Sequence, residues 1–301
     1  MLTKGTSTPM AQSTTTTLKL YTRTTLTTLW AGLTLFVLAQ TSHAQQNDSV
    51  YQKMPFLKSY EGLLAEYVQA HEKGDMAGTG INYLEWQRDP RHKIAMEALE
   101  STSLTELTSK EEKLSFWINA YNLLTIDLII KNGEQQSIHN LGGLVGDPWN
   151  EFSWVIDGLE TTLSQIQHQT LRSMGEPRTH FSLTCAALSC PDLKNTPYWP
   201  KRIYTQLEKQ TRKFLRNPHK GVTIIKAAPK NTRIQQTDKY KVSQIFQWFK
   251  NDFEHGNIQR FIQRYVFLYG AEFDGYLPHN WQLNSLEGKE PLTIEKENTQ
   301  P

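Results

Sequence analysis

The chain has 301 residues, with 32 lysines and arginines against 30 aspartates and glutamates, and only two cysteines. A formal charge of +2 over that length gives no global electrostatic reason to bind nucleic acid or an anionic membrane surface. The length admits one large core or two small ones.

Residues 1–44 contain Lys4, Lys19 and Arg23 and no acidic residue. The apolar run from Leu26 to Ala39 has 14 residues, short of the roughly 20 that a bilayer span needs and suited to the core of a signal peptide. Ser42 and Ala44 are small residues at the −3 and −1 positions of a cut before Gln45. The reading is an exported protein, periplasmic or secreted, with a cleavable signal peptide over 1–44. A mitochondrial presequence and an uncleaved anchor are the alternatives, and the compact, non-amphipathic apolar block argues against the first. Cleavage would remove three of the 32 basic residues, leaving 29 against 30 acidic ones and a net charge near −1. No later stretch is apolar enough to span a membrane, so no integral membrane segment is expected after cleavage. The polar ends 45–54 and 287–301 read as a flexible start and tail. Residues 55–286 read as one globular domain.

Within it, Pro55 to Lys73 carries Phe56, Tyr60, Leu63, Leu64, Tyr67 and Val68 on one helical stripe, with Gly74 as a stop. Ile81 to Trp86 reads as extended, and Pro90 to Glu100 as a short helix. Ser109 with Glu112 three residues on has capping-box spacing. It opens a helix that is apolar nearly all round in its second half, hence buried, and stops at Asn132-Gly133. Phe152, Trp154 and Ile156 alternate ahead of Asp157-Gly158, a hairpin signal. Ser164 to Met174 reads as a helix ending at Gly175, His180 to Thr184 as a short strand, and Pro200 to Arg216 as a helix. The basic run Lys201 to Lys220 has apolar residues at helical spacing and is the wet face of that helix. Two strands are expected over Gly221 to Gln236 and helices over Lys241–Phe253 and Asn257–Tyr269, with Tyr276 to Leu283 closing the domain. Helices outnumber strands, which come in hairpin-like pairs. The fold class is therefore α+β: a mainly helical domain with a small, largely antiparallel sheet.

Three polar groupings stand out against this apolar pattern. Asn119 and Asn122 share a face of the buried helix, where an unpaired amide costs about 1–3 kcal/mol. They either peg a loop through its backbone or line a polar site. Cys185 and Cys190 are the only cysteines. They form a structural disulfide, remain inert thiols, or include a reactive cysteine, with Cys190 placed before a Pro that would open a helix and lower a thiol pKa. His168 lies off the buried side of its helix, and His180 is a second candidate base. Strand alternation would put His180 and Cys185 on opposite faces, which favours His168. A zinc site from His168, His180, Cys185 and Cys190 matches no common ligand spacing. There is no phosphate-loop motif, no His-Glu-x-x-His and no sign of a bound cofactor.

The motifs Phe116-Trp-Ile-Asn-x-Tyr-Asn122, Leu163-x-x-Ile-x-His-x-x-Leu-Arg172, Pro177-Arg-x-His-Phe-x-Leu-x-Cys-(x)4-Cys-Pro-x-Leu193 and Trp281-x-Leu-Asn284 occur in that order. Together they resemble the family catalogued as domain of unknown function 547, over about residues 105–284. The resemblance puts Cys185 on the first motif cysteine and His168 on the histidine of the helix motif. The family usually reads Ile-Glu-His where this chain has Ile166-Gln167-His168, which weakens any role for that acid here. The family's cysteine–histidine content is similar to that of papain-like or transglutaminase-like thiol enzymes. Two functions are carried forward. One is a thiol-dependent hydrolase or acyl transferase with Cys185 as nucleophile, His168 or His180 as base, and Asn119 or Asn122 orienting the imidazole or donating to an oxyanion. The other is a non-catalytic binding or structural domain clipped by a Cys185–Cys190 disulfide, with Trp149, Trp154, Trp199 and Trp248 building core or a ligand groove. The substrate or ligand is unknown.

Overall fold

The helix that opens at Phe56, after a short helical stretch over 48–53, stops short of its own hydrophobic stripe. In the computed structural model, which describes residues 48–143, 146–227 and 237–286, Phe56–Tyr67 is helical and the chain then turns extended at Val68, with φ −106° and ψ 113°. Val68–Lys73 (β1) pairs antiparallel with Met76–Ile81 (β2), Lys73 opposite Met76. Gly74, at φ +58°, supplies the left-handed turn between them. The expected helix to Lys73 is thus a helix and a strand, because Val68-Gln-Ala-His alternates well enough to pair. The extended reading of Ile81–Trp86 also fails past Ile81. The Asn82 side chain accepts from the Glu85 amide and starts a helix over Tyr83–Arg88. Pro90–Glu100 follows as a helix, as expected, capped by Asp89.

The centre of the fold is the helix Lys110–Lys131, with the complete Ser109/Glu112 capping box and 16 buried residues. Gly133, at φ +60°, ends it. Burial on every side explains why its sequence lacks an amphipathic stripe. Buried Asp127 accepts hydrogen bonds from Trp154 Nε1 (2.7 Å) and faces His92 Nε2 (2.9 Å) and Lys131 Nζ (2.8 Å). That helix thereby fixes the hairpin of Ser153–Ile156 (β3) and Leu159–Thr162 (β4), whose register has Ile156 opposite Leu159.

Further sequence expectations change, and the helix expected over Asn257–Tyr269 spans only Ile258–Gln263. His180–Thr184 is not a strand: Pro177–Phe181 is a 3-10 turn and 182–184 are irregular. No helix follows Pro191, so Cys190 has no helix N-terminus beside it. The expected helix Lys241–Phe253 begins as a strand, Lys239–Val242 (β6), and holds only short helical turns at Ile245–Trp248 and Lys250–Asp252. β6 lies between Val222–Ile225 (β5, antiparallel) and Glu272–Tyr276 (β7, parallel). The second strand expected before Gln236 falls on 228–236, outside the described residues, as do the leader and the tail. The architecture is α+β, with two separate two-stranded sheets and one three-stranded sheet among the described residues in place of one small sheet. Pro200–Arg216 is helical as expected, with Gln210 and Thr211 joining its buried side. Among the described residues no helix is long and apolar enough to cross a membrane.

Candidate functional site

Both asparagines of the central helix turn out to hold loops. Asn119 Nδ2 donates to the Ser115 and Tyr198 carbonyls (both 2.8 Å) and its Oδ1 accepts from the Tyr198 amide (2.9 Å). Asn122 Nδ2 donates to the Ser182 carbonyl (3.0 Å) and its Oδ1 accepts from the Thr184 amide (2.8 Å). These bonds use the backbone pairing capacity that a sheet would otherwise use, and they hold the segment leading to Cys185 in an irregular path.

Cys185 and Cys190 form a disulfide, with Cα atoms 5.8 Å apart. The turn that closes it passes through Ala186 at φ +57°, a left-handed conformation costly for a residue with a Cβ. Ala186→Gly is expected to stabilise the folded protein by about 0.5–1 kcal/mol, read by urea unfolding. The loop is zipped onto the chain's closing segment. Leu188 and Ser189 amides donate to the Gln282 and Asn280 carbonyls, and the Asn284 amide donates to Ala186 O. Tyr83 Oη in turn donates to Asn284 Oδ1 at 2.7 Å. This is the structural work of the Trp281-x-Leu-Asn284 motif, and it sets His279 beside the disulfide, its Nε2 3.8 Å from Cys190 Sγ.

A pocket of about 340 Å³ opens over Cys185, walled by Trp149, Trp248, Trp281 and Phe249, with His168 and His180 on its lining. Cys185 is partly exposed there, whereas Cys190 is 1% exposed. Trp149 and Trp248 therefore belong to a groove, while Trp199 is core and Trp154 is tied to Asp127. The structure brings His168, His180 and Cys185 to one cavity. The alternation that would have separated His180 from Cys185 disappears with the strand.

The two histidines differ in hydrogen bonding. Phe181 is buried among Phe214, Phe246, Phe253 and Phe261, which fixes the turn carrying His180. His180 stacks on Phe249 at 4.1 Å, and its Nε2 lies 2.8 Å from Asp252 Oδ2. Its Nδ1 is buried and has no hydrogen-bond partner among the described residues. Burial pushes the His180 pKa down, against the pull of Asp252, so the ring is neutral at pH 7, with the proton on Nε2 donated to the carboxylate. Arg172 grips the same carboxylate at 2.6 and 2.9 Å; the His180 and Arg172 hydrogen bonds hold the Asp252 pKa far below the usual range. Arg172 also reaches His168 Nδ1 at 3.1 Å. A guanidinium only donates, so His168 Nδ1 accepts and its Nε2 carries the proton. Burial first, then Arg172, lowers the His168 pKa. His168 lies in Ile166–Leu171, a wide π turn inside the helical stretch 163–174, an irregularity common at functional sites.

Sequence reasoning missed Asp252, Arg172 and His279. Asp252 is one of two acids, with Glu254, in an aromatic run, Arg172 is the last residue of a quoted motif, and His279 stands two residues before another. Burial, with help from His139 and Lys220, takes the His279 pKa down to about 4. The unfolded chain, with its histidine near 6.5, therefore binds a proton between pH 6.5 and 4 that the native state refuses. Stability should fall across that window as pH drops, by up to about 3 kcal/mol from this residue. Urea unfolding of wild type and His279→Phe at pH 7.5 and 4.5 should show a smaller loss in the variant. Cys185, Cys190 and His279 have side-chain ligand atoms within 4.8 Å of one another, a set unlike the His168 and His180 combination considered from sequence.

Comparison with known families supports the resemblance over the first three of the four motifs. Residues 104–215 match the family described as protein of unknown function, DUF547. The chain resembles that family over the central helix, both cysteines and the helix to Leu215, while the closing segment with His279 lies beyond the match. No curated protein and no solved structure matches the chain.

Proposed function

We propose that the chain is an exported thiol-dependent hydrolase or acyl transferase, with Cys185 as nucleophile, His180 as general base and Asp252 as the carboxylate that orients it. One observation carries this reading. A buried neutral imidazole has one nitrogen anchored on a carboxylate and the other unpartnered, and it shares a pocket with a cysteine. In the reduced protein, His180 Nδ1 takes the Cys185 thiol proton and the thiolate attacks an acyl carbon. The tetrahedral intermediate collapses as His180 returns the proton to the leaving group. Water or another acceptor then releases the acyl group. His168, with its Nε2–H, is a donor to the developing oxyanion. Asn119 and Asn122 act on loop backbone and hold the frame. The Cys–His–Asp combination is similar in kind to that of papain-like and transglutaminase-like enzymes, and the fold is not argued from that likeness.

The disulfide must first be opened by two electrons and two protons from an external dithiol. Its presence supports export to an oxidising compartment, in keeping with the 1–44 leader. The same disulfide, with both asparagines spent on loops, favours the second reading, a binding domain whose aromatic groove takes a ligand without chemistry. Iodoacetamide labelling of the reduced full chain at pH 7, read by peptide mass, separates the two. The enzyme reading expects Cys185 to label faster than an ordinary cysteine and His180→Ala to slow it about tenfold. Labelling of Cys185 at an ordinary rate, indifferent to His180, would leave the binding reading.

A further inference from the structure

A second chemistry is built around the other cysteine. Cys185 is partly exposed at the pocket, Cys190 is buried behind it, and His279 Nε2 lies 3.8 Å from Cys190 Sγ. Through the pocket an incoming sulfur reaches Cys185, and Cys190 is not on its lining. His279 is held there by rings, Trp281 at 4.2 Å and Trp248 at 5.1 Å between centroids. Beneath it lies the buried ion pair of Asp192 and Lys220 at 2.7 Å, and Lys220 Nζ also donates to the Cys190 carbonyl at 3.4 Å. Lys213 completes the pair from the other carboxylate oxygen at 2.9 Å. His279 is the imidazole donor at hydrogen-bond distance of Cys190 Sγ; Cys185 Sγ lies within 4.8 Å of the same group without such a contact, and Lys220 anchors the Cys190 backbone.

We infer that the Cys185–Cys190 disulfide is an exchange centre that oxidises cysteine-containing peptides, with Cys185 the sulfur attacked and Cys190 the leaving thiolate stabilised by His279. A peptide thiolate attacks Cys185 Sγ, the S–S bond breaks, and its electron pair leaves on Cys190 Sγ, where the His279 Nε2–H hydrogen bond receives it. A second thiolate of the peptide then attacks the peptide sulfur of the mixed disulfide and releases Cys185 as thiolate. The sum is protein disulfide plus two peptide thiols giving protein dithiol plus peptide disulfide, with two electrons passing to the protein.

The pocket also selects among thiols. Its walls are indole and phenyl rings, its lining includes Asp147, and among the described residues no lysine or arginine lines it. An anionic small thiol such as glutathione finds no counter-charge there, whereas a peptide cysteine flanked by apolar or basic residues finds rings to pack on. This inference does not depend on acyl transfer, since it needs neither His180 nor Asp252.

The test uses the oxidised full chain and a reduced synthetic peptide with two cysteines flanked by leucine and lysine, followed by mass spectrometry. Wild type should form peptide disulfide at least tenfold faster than glutathione disulfide does at equal concentration, and tenfold faster than it oxidises glutathione. Cys190→Ser should accumulate a mixed disulfide on Cys185 when challenged with the peptide's activated disulfide, and Cys185→Ser should not form one on Cys190 at a comparable rate. His279→Phe keeps the ring contacts and removes the donor, and should slow wild-type exchange about tenfold with the far-UV circular dichroism unchanged; His279→Gln, which keeps an N–H, should recover part of the rate. Exchange no faster than that of glutathione disulfide, or an adduct forming preferentially on Cys190, would overturn the proposal. Rates unchanged in His279→Phe would overturn the role of His279. Acyl transfer is read separately by the His180-dependent labelling of Cys185, so either can fail alone.

Discussion

Asn122→Ala should destabilise the protein by about 3 kcal/mol. The side chain is 1% exposed and is the hydrogen-bond partner of the Ser182 carbonyl and the Thr184 amide, both in buried residues. Truncation leaves one donor and one acceptor stranded without water, at about 1–3 kcal/mol each. It also frees the residue that precedes Cys185. The same variant should therefore make the Cys185–Cys190 disulfide easier to reduce, because the loop it closes is no longer held in the closing geometry. Urea unfolding gives the first quantity, and the dithiothreitol concentration for half-reduction of native protein gives the second. A change below about 0.5 kcal/mol would mean that the loop finds other partners and that the central helix does not organise the site.

Asp252→Asn should have the larger effect on chemistry. The carboxylate receives His180 Nε2 at 2.8 Å and both Arg172 contacts. Oδ2 accepts from both His180 Nε2 and Arg172 Nε, so an amide with its oxygen there turns its NH₂ on the second Arg172 nitrogen, and the flipped amide turns its NH₂ on His180. In either orientation the Arg172 charge loses its partner, and the His180 tautomer is held by a neutral oxygen at best. Labelling of reduced Cys185 at pH 7 should fall about tenfold, and stability by about 2–4 kcal/mol. Asp252→Glu, which keeps the charge but moves it, should recover more stability than reactivity. If both variants label as wild type does, the His180–Asp252 pair is only a structural peg.

Much of the frame was readable before the structure because it depends on local chemistry. Ser109 with Glu112, Pro90 after Asp89, Asp157-Gly158 and the glycine at 133 each act within four residues of themselves. The misreadings share a different cause. Val68 fits both a helical stripe and an alternating strand, and the pairing with Ile81 decides between them. His180 to Thr184 has strand-like composition, but Asn122 takes the backbone groups a sheet partner would need. The same long-range pegs hid the site. His168, His180 and the cysteines were visible as residue types, yet Asp252 is 72 residues from His180 in sequence. His279 is 89 residues from Cys190. Neither pairing leaves a spacing signature. The basic residues of 201–220 did read correctly as a helix surface, with the exception of Lys220, which is buried against Asp192.

Cys185, once reduced, is proposed to be an activated thiol in a pocket with a carboxylate-anchored base. The pH dependence of Cys185 labelling by iodoacetamide, in the reduced full chain between pH 5 and 10, tests it most directly. Half-maximal labelling is expected below pH 7, moved up toward the ordinary thiol value of about 8.5 in His180→Ala. A wild-type midpoint at or above 8.5, the same with and without His180, would contradict it and leave the cysteines to the disulfide alone.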